Sequence, residues 1–462
     1  MKTNDWQNRR ILILGAARQG LALARFLTSR GADVTVSDKG SADDLSIALD
    51  ALKDLPIHWA LGGHPLDLLD QTDMVCVSGG VPLTLPIIRE ALRRQIPLSN
   101  DSQIFIESVP CPVIGITGSA GKTTTTTLVG RMAHAFIGKP RQAWVGGNIG
   151  LPLIDRLDEI HPDDVVILEL SSFQLELMTR SPHMAAVLNI TPNHLDRHGT
   201  LEAYTAAKAR ILEFQTPEDI ALLNREDAGS WNLKNMVKGK LVTFGLQKPD
   251  SVQTGTYFDD GSLWWTDGGK PQRIMDVQDI HLKGVHNLMN ILAACAIAAG
   301  AGFPLTSMKA GVEGFYGVEH RLEFIRCLHG VDWYNDSIAT APERTLAALH
   351  SFEQPIVLLL GGRDKKLPWD GLARQIHRQV DHVVLFGEAR DLIYEALSAS
   401  GESNRTLTID RCATFEQGLE AAARVAEAGD VVLLSPGCTS YDEFRDFSER
   451  GEKFREWLNR QA

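Results

Sequence analysis

The stretch Pro112-Val113-Ile114-Gly115-Ile116-Thr117-Gly118-Ser119-Ala120-Gly121-Lys122-Thr123-Thr124 decides how this chain is read. An apolar, strand-forming run passes through a loop of small residues into a Thr-rich helix start. In that order, the loop's N–H groups and the positive end of the helix face one place and form an anion cradle. Gly118, Ser119, Ala120, Gly121 and Thr124 build the cradle. Lys122 is placed to reach the β- and γ-phosphates of a nucleotide, and the Thr123 hydroxyl to help hold Mg²⁺. The strict G-x-x-x-x-G-K-[ST] spacing is missed by one position, because Ile116 stands where the first glycine belongs. The plainer reading is a glycine-rich turn with an incidental lysine. The strand before the loop and the helix after it disfavour that reading.

Two later runs, VVILELSS (165–172) and AAVLNITPNH (185–194), read as buried strands with polar ends. Ligands collect beyond the carboxyl ends of strands in open α/β sheets, so these ends and the cradle are expected to share one site. Glu169, at such an end, suits Mg²⁺ held jointly with nucleotide oxygens. His194 is ambiguous, since a lone loop histidine is more often a packing or surface residue than a ligand. Lys208, in the helical pattern LEAYTAAKARIL (201–212), reads on its own as a solvated lysine.

Upstream, ILIL (11–14), the turn Gly15-Ala16-Ala17-Arg18-Gln19-Gly20, a helical pattern and DVTVSD (33–38) make another α/β unit, continued by MVCVSGG (74–80). The turn lacks the middle glycine of G-x-G-x-x-G, which disfavours NAD. Asp38 ends its strand where a ribose-binding acid would sit, and a plain tight turn fits this stretch equally well. Downstream, Val242 to Ile280 reads as hairpins or loops. After GFYGVEHR (314–321) the α/β rhythm returns in PIVLLLGGRDK, HVVLFGEARDLI and DVVLLSPGCTSYDEF. Strands alternating with helices imply parallel, doubly wound sheets. The expectation is three α/β domains over 1–107, 108–317 and 318–462, which suits 462 residues.

Composition narrows the partners. A net charge of −12 argues against a nucleic-acid footprint. The six cysteines are scattered with no C-x-x-C pair, which is the usage of a reducing compartment. No leader pattern and no spanning apolar run is present, so a cytoplasmic protein without a membrane partner is expected.

Nine motifs then occur in one order: GITGSAGKTT (115–124), GGNIG (146–150), LELSSFQLE (168–176), NITPNHLDRHGTLEAYTAAK (189–208), GVHNLMN (284–290), EHRLEF (319–324), NDSIAT (335–340), GGRDK (361–365) and LSPGCTSYDEFRDFSERG (434–451). Along nearly its whole length the chain resembles the Mur ligase family. SSFQLE and SP-x-C-x-S-x-D-x-F point to its glutamate-adding branch. The resemblance implies an N-terminal Rossmann-like UDP-binding domain, a central P-loop-type ATP-binding domain with a mainly parallel sheet, and a C-terminal Rossmann-like domain. It implies a monomer that uses ATP and two Mg²⁺ ions. ATP would phosphorylate the carboxylate of UDP-MurNAc-L-alanine, and the amine of D-glutamate would attack the acyl phosphate. L-glutamate, another amino acid, or a non-catalytic nucleotide-binding scaffold are the alternatives.

The resemblance also assigns roles. Lys122, Glu169, His194 and Lys208 would be catalytic, with Thr123, Glu169, His194 and Lys208 at the metals and Lys208 carrying a CO₂-derived carbamate. Asn287, Asn290, Arg321 and Asp336 would hold ATP. Gly15, Ala16, Ala17, Arg18, Asp38, Gly79, Gly80, Asn148 and Ser171 would meet the UDP substrate. Thr340, Lys365, Ser440 and Phe447 would take glutamate. The sequence departs from the family at Ser119-Ala120, usually Thr-Asn, and at Ile338 and Ala341, usually lysine and asparagine. The second departure bears on how glutamate is handled.

Overall fold

The computed structural model describes residues 6–150, 152–250, 253–282, 284–365, 367–400 and 407–461. Strands β1 (Arg10–Leu14), β2 (Asp33–Asp38), β3 (Ile57–Leu61), β4 (Met74–Val77) and β5 (Leu98–Ser99) form a parallel sheet in the order β3-β2-β1-β4-β5. A second sheet of nine strands follows: β6 (Val113–Thr117), β7 (Ala143–Gly147), β8 (Val165–Glu169), β9 (Met184–Val187), β10 (Ile220–Asn224), β11 (Lys240–Phe244), β12 (Thr254–Asp259), β13 (Ser262–Thr266) and β14 (Gln272–Asp276). Its order is β14-β13-β12-β11-β10-β9-β6-β8-β7, parallel except for the β12-β13-β14 meander, which is the hairpin region expected from 242–280. The third sheet comprises β15 (Glu323–Leu328), β16 (Val331–Asn335), β17 (Ile356–Gly361), β18 (His382–Phe386), β19 (Thr408–Arg411) and β20 (Val431–Gly437) in the order β15-β16-β20-β17-β18-β19. Only β15 runs antiparallel to its neighbour there.

The unbroken apolar runs of β8, β17 and β20 follow from burial on both faces, which a parallel sheet covered by helices requires. The chain divides into two compact units, Met1–Phe315 and Tyr316–Ala462. The first therefore contains two sheets. Across them, Arg25 bonds Asp155 at 2.7 Å, Arg30 pairs with Asp158, and Arg197 reaches the carbonyls of Gly80 and Val81.

The buried Asn100 is the most economical of these ties. Its Oδ1 accepts from Gln103 N at 2.8 Å and so caps the Asp101–Ser108 helix. Its Nδ2 donates to the Gln174 carbonyl at 2.7 Å, 74 residues along the chain. Asn100→Ala would lose a cap worth about 1 kcal/mol and leave a buried carbonyl unpaired at about 1–3 kcal/mol. A lower urea midpoint is the expected result. An unchanged midpoint in Asn100→Ala would contradict it.

The Thr-rich helix Lys122–Phe136 has four consecutive threonines after Thr123, a poor composition for a helix on intrinsic propensity. Tertiary burial overrides this. Thr125, Thr126, Leu128, Val129, Met132 and Ala133 are all buried, and the helices Val285–Gly300 and Leu305–Val312 pack alongside. Among the described residues, no helix is long and apolar enough to cross a membrane.

Candidate active site

The loop between β6 and the Lys122–Phe136 helix turns on Gly121, at φ 80°. A Cβ there would lie 2.2 Å from Asn290 Oδ1, so only glycine lets the loop approach the Val285–Gly300 helix. Neighbouring strand ends hold the loop in shape. Asn189 Oδ1 accepts from Ala120 N at 2.8 Å, and Ser119 Oγ lies 3.0 Å from both the Thr191 carbonyl and the Tyr204 hydroxyl. Thus Ser119 and Ala120, where the family usually has Thr-Asn, still leave a braced loop.

At the carboxyl end of β8, Glu169 is 2% exposed. Its Oε2 accepts from Thr123 Oγ1 and its Oε1 from Asn148 Nδ2, each at 2.8 Å. Carboxylate, hydroxyl and amide oxygen are hard donors, so this trio fits Mg²⁺ shared with phosphate oxygens. Lys122 Nζ donates to the Gly118 carbonyl at 2.8 Å and to the Ser119 carbonyl at 3.3 Å. The Lys208 amine reaches the same Gly118 oxygen at 2.9 Å and Thr117 Oγ1 at 3.3 Å.

Lys208 is therefore no solvated lysine. It is 1% exposed, over the Tyr204 ring at 4.8 Å. Burial, and then the like charge of Lys122, push its pKa down to about 6, against a smaller opposing pull from Glu169. At neutral pH it is mostly the free amine.

The other site residues lie as follows. His194 is exposed at φ 52°, its ring 5.2 Å from that of Phe173, which also stacks on His198 and carries the Arg197 guanidinium. The Ser171 hydroxyl caps the Ser172–Leu175 turn through Gln174. Asp38 spends its carboxylate on loop backbone, accepting from Ala16 N at 2.7 Å and Gly40 N at 2.9 Å. Gly15, at φ 99°, has no room for a Cβ against Val81 and Ser78. Arg18 is exposed at the start of its helix, and Gly80 lends its carbonyl to Arg197.

A cavity of about 230 Å³ opens beside the loop, lined by Ala120, Gly121, Asn189, Phe244, His286 and Asn290 among others. Phe244, His286 and Met289 were not singled out from sequence. Phe244 ends β11, whereas His286 and Met289 share the Val285–Gly300 helix within the GVHNLMN motif, where nothing in the sequence marks them as cavity walls. Asn287 sits within 3.4 Å of Asn290.

In the second compact unit, Asp336 is buried and its pKa is raised by burial to about 7. Its oxygens accept from Ser435 Oγ at 2.8 Å and Leu322 N at 3.1 Å, next to Arg321. Lys365 Nζ donates to Thr340 Oγ1 at 3.1 Å. Ser440 is buried, and the Phe447 carbonyl accepts from Ser337 Oγ at 2.7 Å. These loops converge on Arg450, a fully buried guanidinium that sequence reading passed over. It donates to the Ser337, Thr439 and Cys438 carbonyls and to Ser337 Oγ. A cluster of Glu319, His320 and Glu452 has metal-like spacing, but Arg455 already pairs with Glu452 at 2.7 Å.

A phosphate loop facing a buried carboxylate at the strand ends of one α/β sheet is the site of a nucleotide-dependent enzyme. The Mur ligase MurD-like N-terminal domain model matches residues 9–100, the Mur ligase middle domain model 116–298 and the Mur ligase glutamate ligase domain model 320–438. The chain belongs to the Mur ligase family, the ATP-dependent ligases of peptidoglycan synthesis. It is 40% identical to the UDP-N-acetylmuramoylalanine–D-glutamate ligase of Symbiobacterium thermophilum, over 96% of this chain and 97% of that one. The enzyme of the same name from Pelotomaculum thermopropionicum is 39% identical over 98% of each chain. Among solved structures, UDP-N-acetylmuramate–alanine ligase from Thermotoga maritima shares the fold, with TM-score 0.54 and 20% identity over 98% of this chain and 100% of that one.

Proposed function

We propose that this chain joins D-glutamate to UDP-N-acetylmuramoyl-L-alanine, with ADP and phosphate as the other products. The observation that carries the reading is the meeting of Lys122, Thr123, Glu169, Asn148 and Lys208 around one loop carbonyl and one carboxylate. Lys122 would hold the transferring phosphoryl group, Asn148 the acyl side, and Asn287, Asn290, Arg321 and Asp336 the adenine nucleotide. The cavity beside Gly121 is apolar-walled and of a size for the base. Mg²⁺, held by Thr123, Glu169 and His194 with Lys208 as its carbamate, would neutralise charge on the phosphates. Residues 1–107 would take the UDP end through the loops at Gly15–Arg18, Asp38 and Gly79-Gly80. Residues 108–317 would carry ATP, and 318–462 the amino acid.

Thr340, Lys365, Ser440 and the Phe447 backbone would receive glutamate. Lys365→Ala is expected to raise KM for glutamate roughly 10- to 150-fold, the equivalent of one charge-assisted bond of about 1.5–3 kcal/mol, with KM for ATP little changed. Steady-state kinetics decide it, and an unaltered glutamate KM would refute the pocket. One observation favours a second reading, L-glutamate: Ile338 and Ala341 alter the segment nearest the amino acid. Phosphate release that depends on the muramoyl nucleotide, run with each enantiomer, separates the two.

A further inference from the structure

Resting on the glutamate-pocket reading above, we propose that Arg344 is a specificity-determining residue, supplying the second positive charge for the two carboxylates of the incoming amino acid. Glutamate brings two anionic groups, and each is costly to desolvate without a partner. In the receiving segment the family's usual lysine is Ile338, which offers none. That leaves Lys365, exposed at the surface and donating to Thr340 Oγ1.

Arg344 stands two residues into the Pro342–Leu349 helix, just after that segment. Its Nη1 approaches the Ile338 carbonyl at 3.4 Å, a weak bond that lays the guanidinium over the backbone where the lysine is missing. Its field is felt on both sides of the pocket. It lowers the pKa of Lys365, second only to burial, and favours the ionised form of Asp336. Among the described residues no carboxylate forms an ion pair with it, although Glu343 is adjacent in sequence and also acts on Lys365. The side chain is exposed, so turning it onto a ligand breaks nothing but one long contact. The two cations repel, the pull of Glu343 on Lys365 being smaller than the push of Arg344, and a dicarboxylate relieves that repulsion. A guanidinium also offers the two parallel N–H groups that match a carboxylate.

The test uses the full chain with ATP and the muramoyl nucleotide. Arg344→Ala should raise KM for glutamate on the order of 10-fold at unchanged KM for ATP, and Arg344→Lys by less. Adding Ile338→Lys to Arg344→Ala should bring the glutamate KM back towards wild type, because charge is restored in the same place. Three results would overturn the proposal: an unchanged glutamate KM, an equal rise in KM for ATP, or a rise that Ile338→Lys fails to correct. A wild-type enzyme with no glutamate-dependent phosphate release would instead overturn the glutamate reading itself, and the proposal with it.

Discussion

Replacing Lys122 by alanine is expected to slow turnover by roughly 10³-fold or more, because it removes the cation proposed above to meet the β- and γ-phosphates. At rest the ammonium is folded onto the Gly118 and Ser119 carbonyls, within a side-chain rotation of the cradle it closes. The bonds to these two carbonyls span only three and four residues, so they tie no distant elements together. Single-turnover kinetics should therefore show the loss in the phosphoryl-transfer step while thermal unfolding stays near wild type. Near-normal turnover would mean that the loop does not serve phosphates. A large drop in unfolding temperature would mean that the lysine is structural.

Lys208 carries the second large effect. Its amine has a pKa of about 6, so it is mostly neutral at pH 7, the form that attacks CO₂. As a carbamate it would become a long-armed carboxylate beside Glu169. Lys208→Ala should be nearly inactive and partly restored by formate or acetate, while Lys208→Arg should be inactive without rescue. Independently of activity, ¹³C-labelled CO₂ should give a carbamate resonance in the wild type that both variants lack. The resonance should fade as pH falls through about 6, where the amine is protonated. In CO₂-free enzyme the same shift has a stability sign. Between about 6 and the ordinary value of 10.5 the unfolded chain binds the extra proton, so stability rises with pH across that window. A fully active Lys208→Arg enzyme would refute the carbamate.

What was legible from the sequence is what is local. The phosphate loop announces itself because cradle, lysine and hydroxyl lie within ten residues, and the polar ends of β8 and β9 follow from the rule for strand ends. The strand β3 gives no signal in the sequence, since IHWAL is only half-buried and carries histidine. Lys208 shows the limit of composition. Nothing in a run of alanines reveals that the helix presses its lysine against β6, and only the family pattern marked it. Asp38 ends its strand as the sequence implies, and its bonds to Ala16 N and Gly40 N, which no spacing announces, hold its carboxylate in place. Arg450 meets Ser337 across 113 residues, and the cavity brings Phe244 and His286 to the phosphate loop from still farther along the chain. No periodicity encodes these meetings, which arise from sheet order.

The ties between the first two sheets carry one more implication. Asn100, Arg25 and Arg197 place the Gly79-Gly80 loop and the phosphate loop within a single compact unit. The span from one loop to the other is thus built into the fold. With the Gly79-Gly80 loop taking the uridine end, as proposed above, such a frame would work as a gauge. A nucleotide sugar whose carboxylate falls short of the gauge, or overshoots it, would dock by its uridine end and present nothing to ATP. The enzyme would then choose its acceptor by length, before any side chain reads the amino acid at its tip.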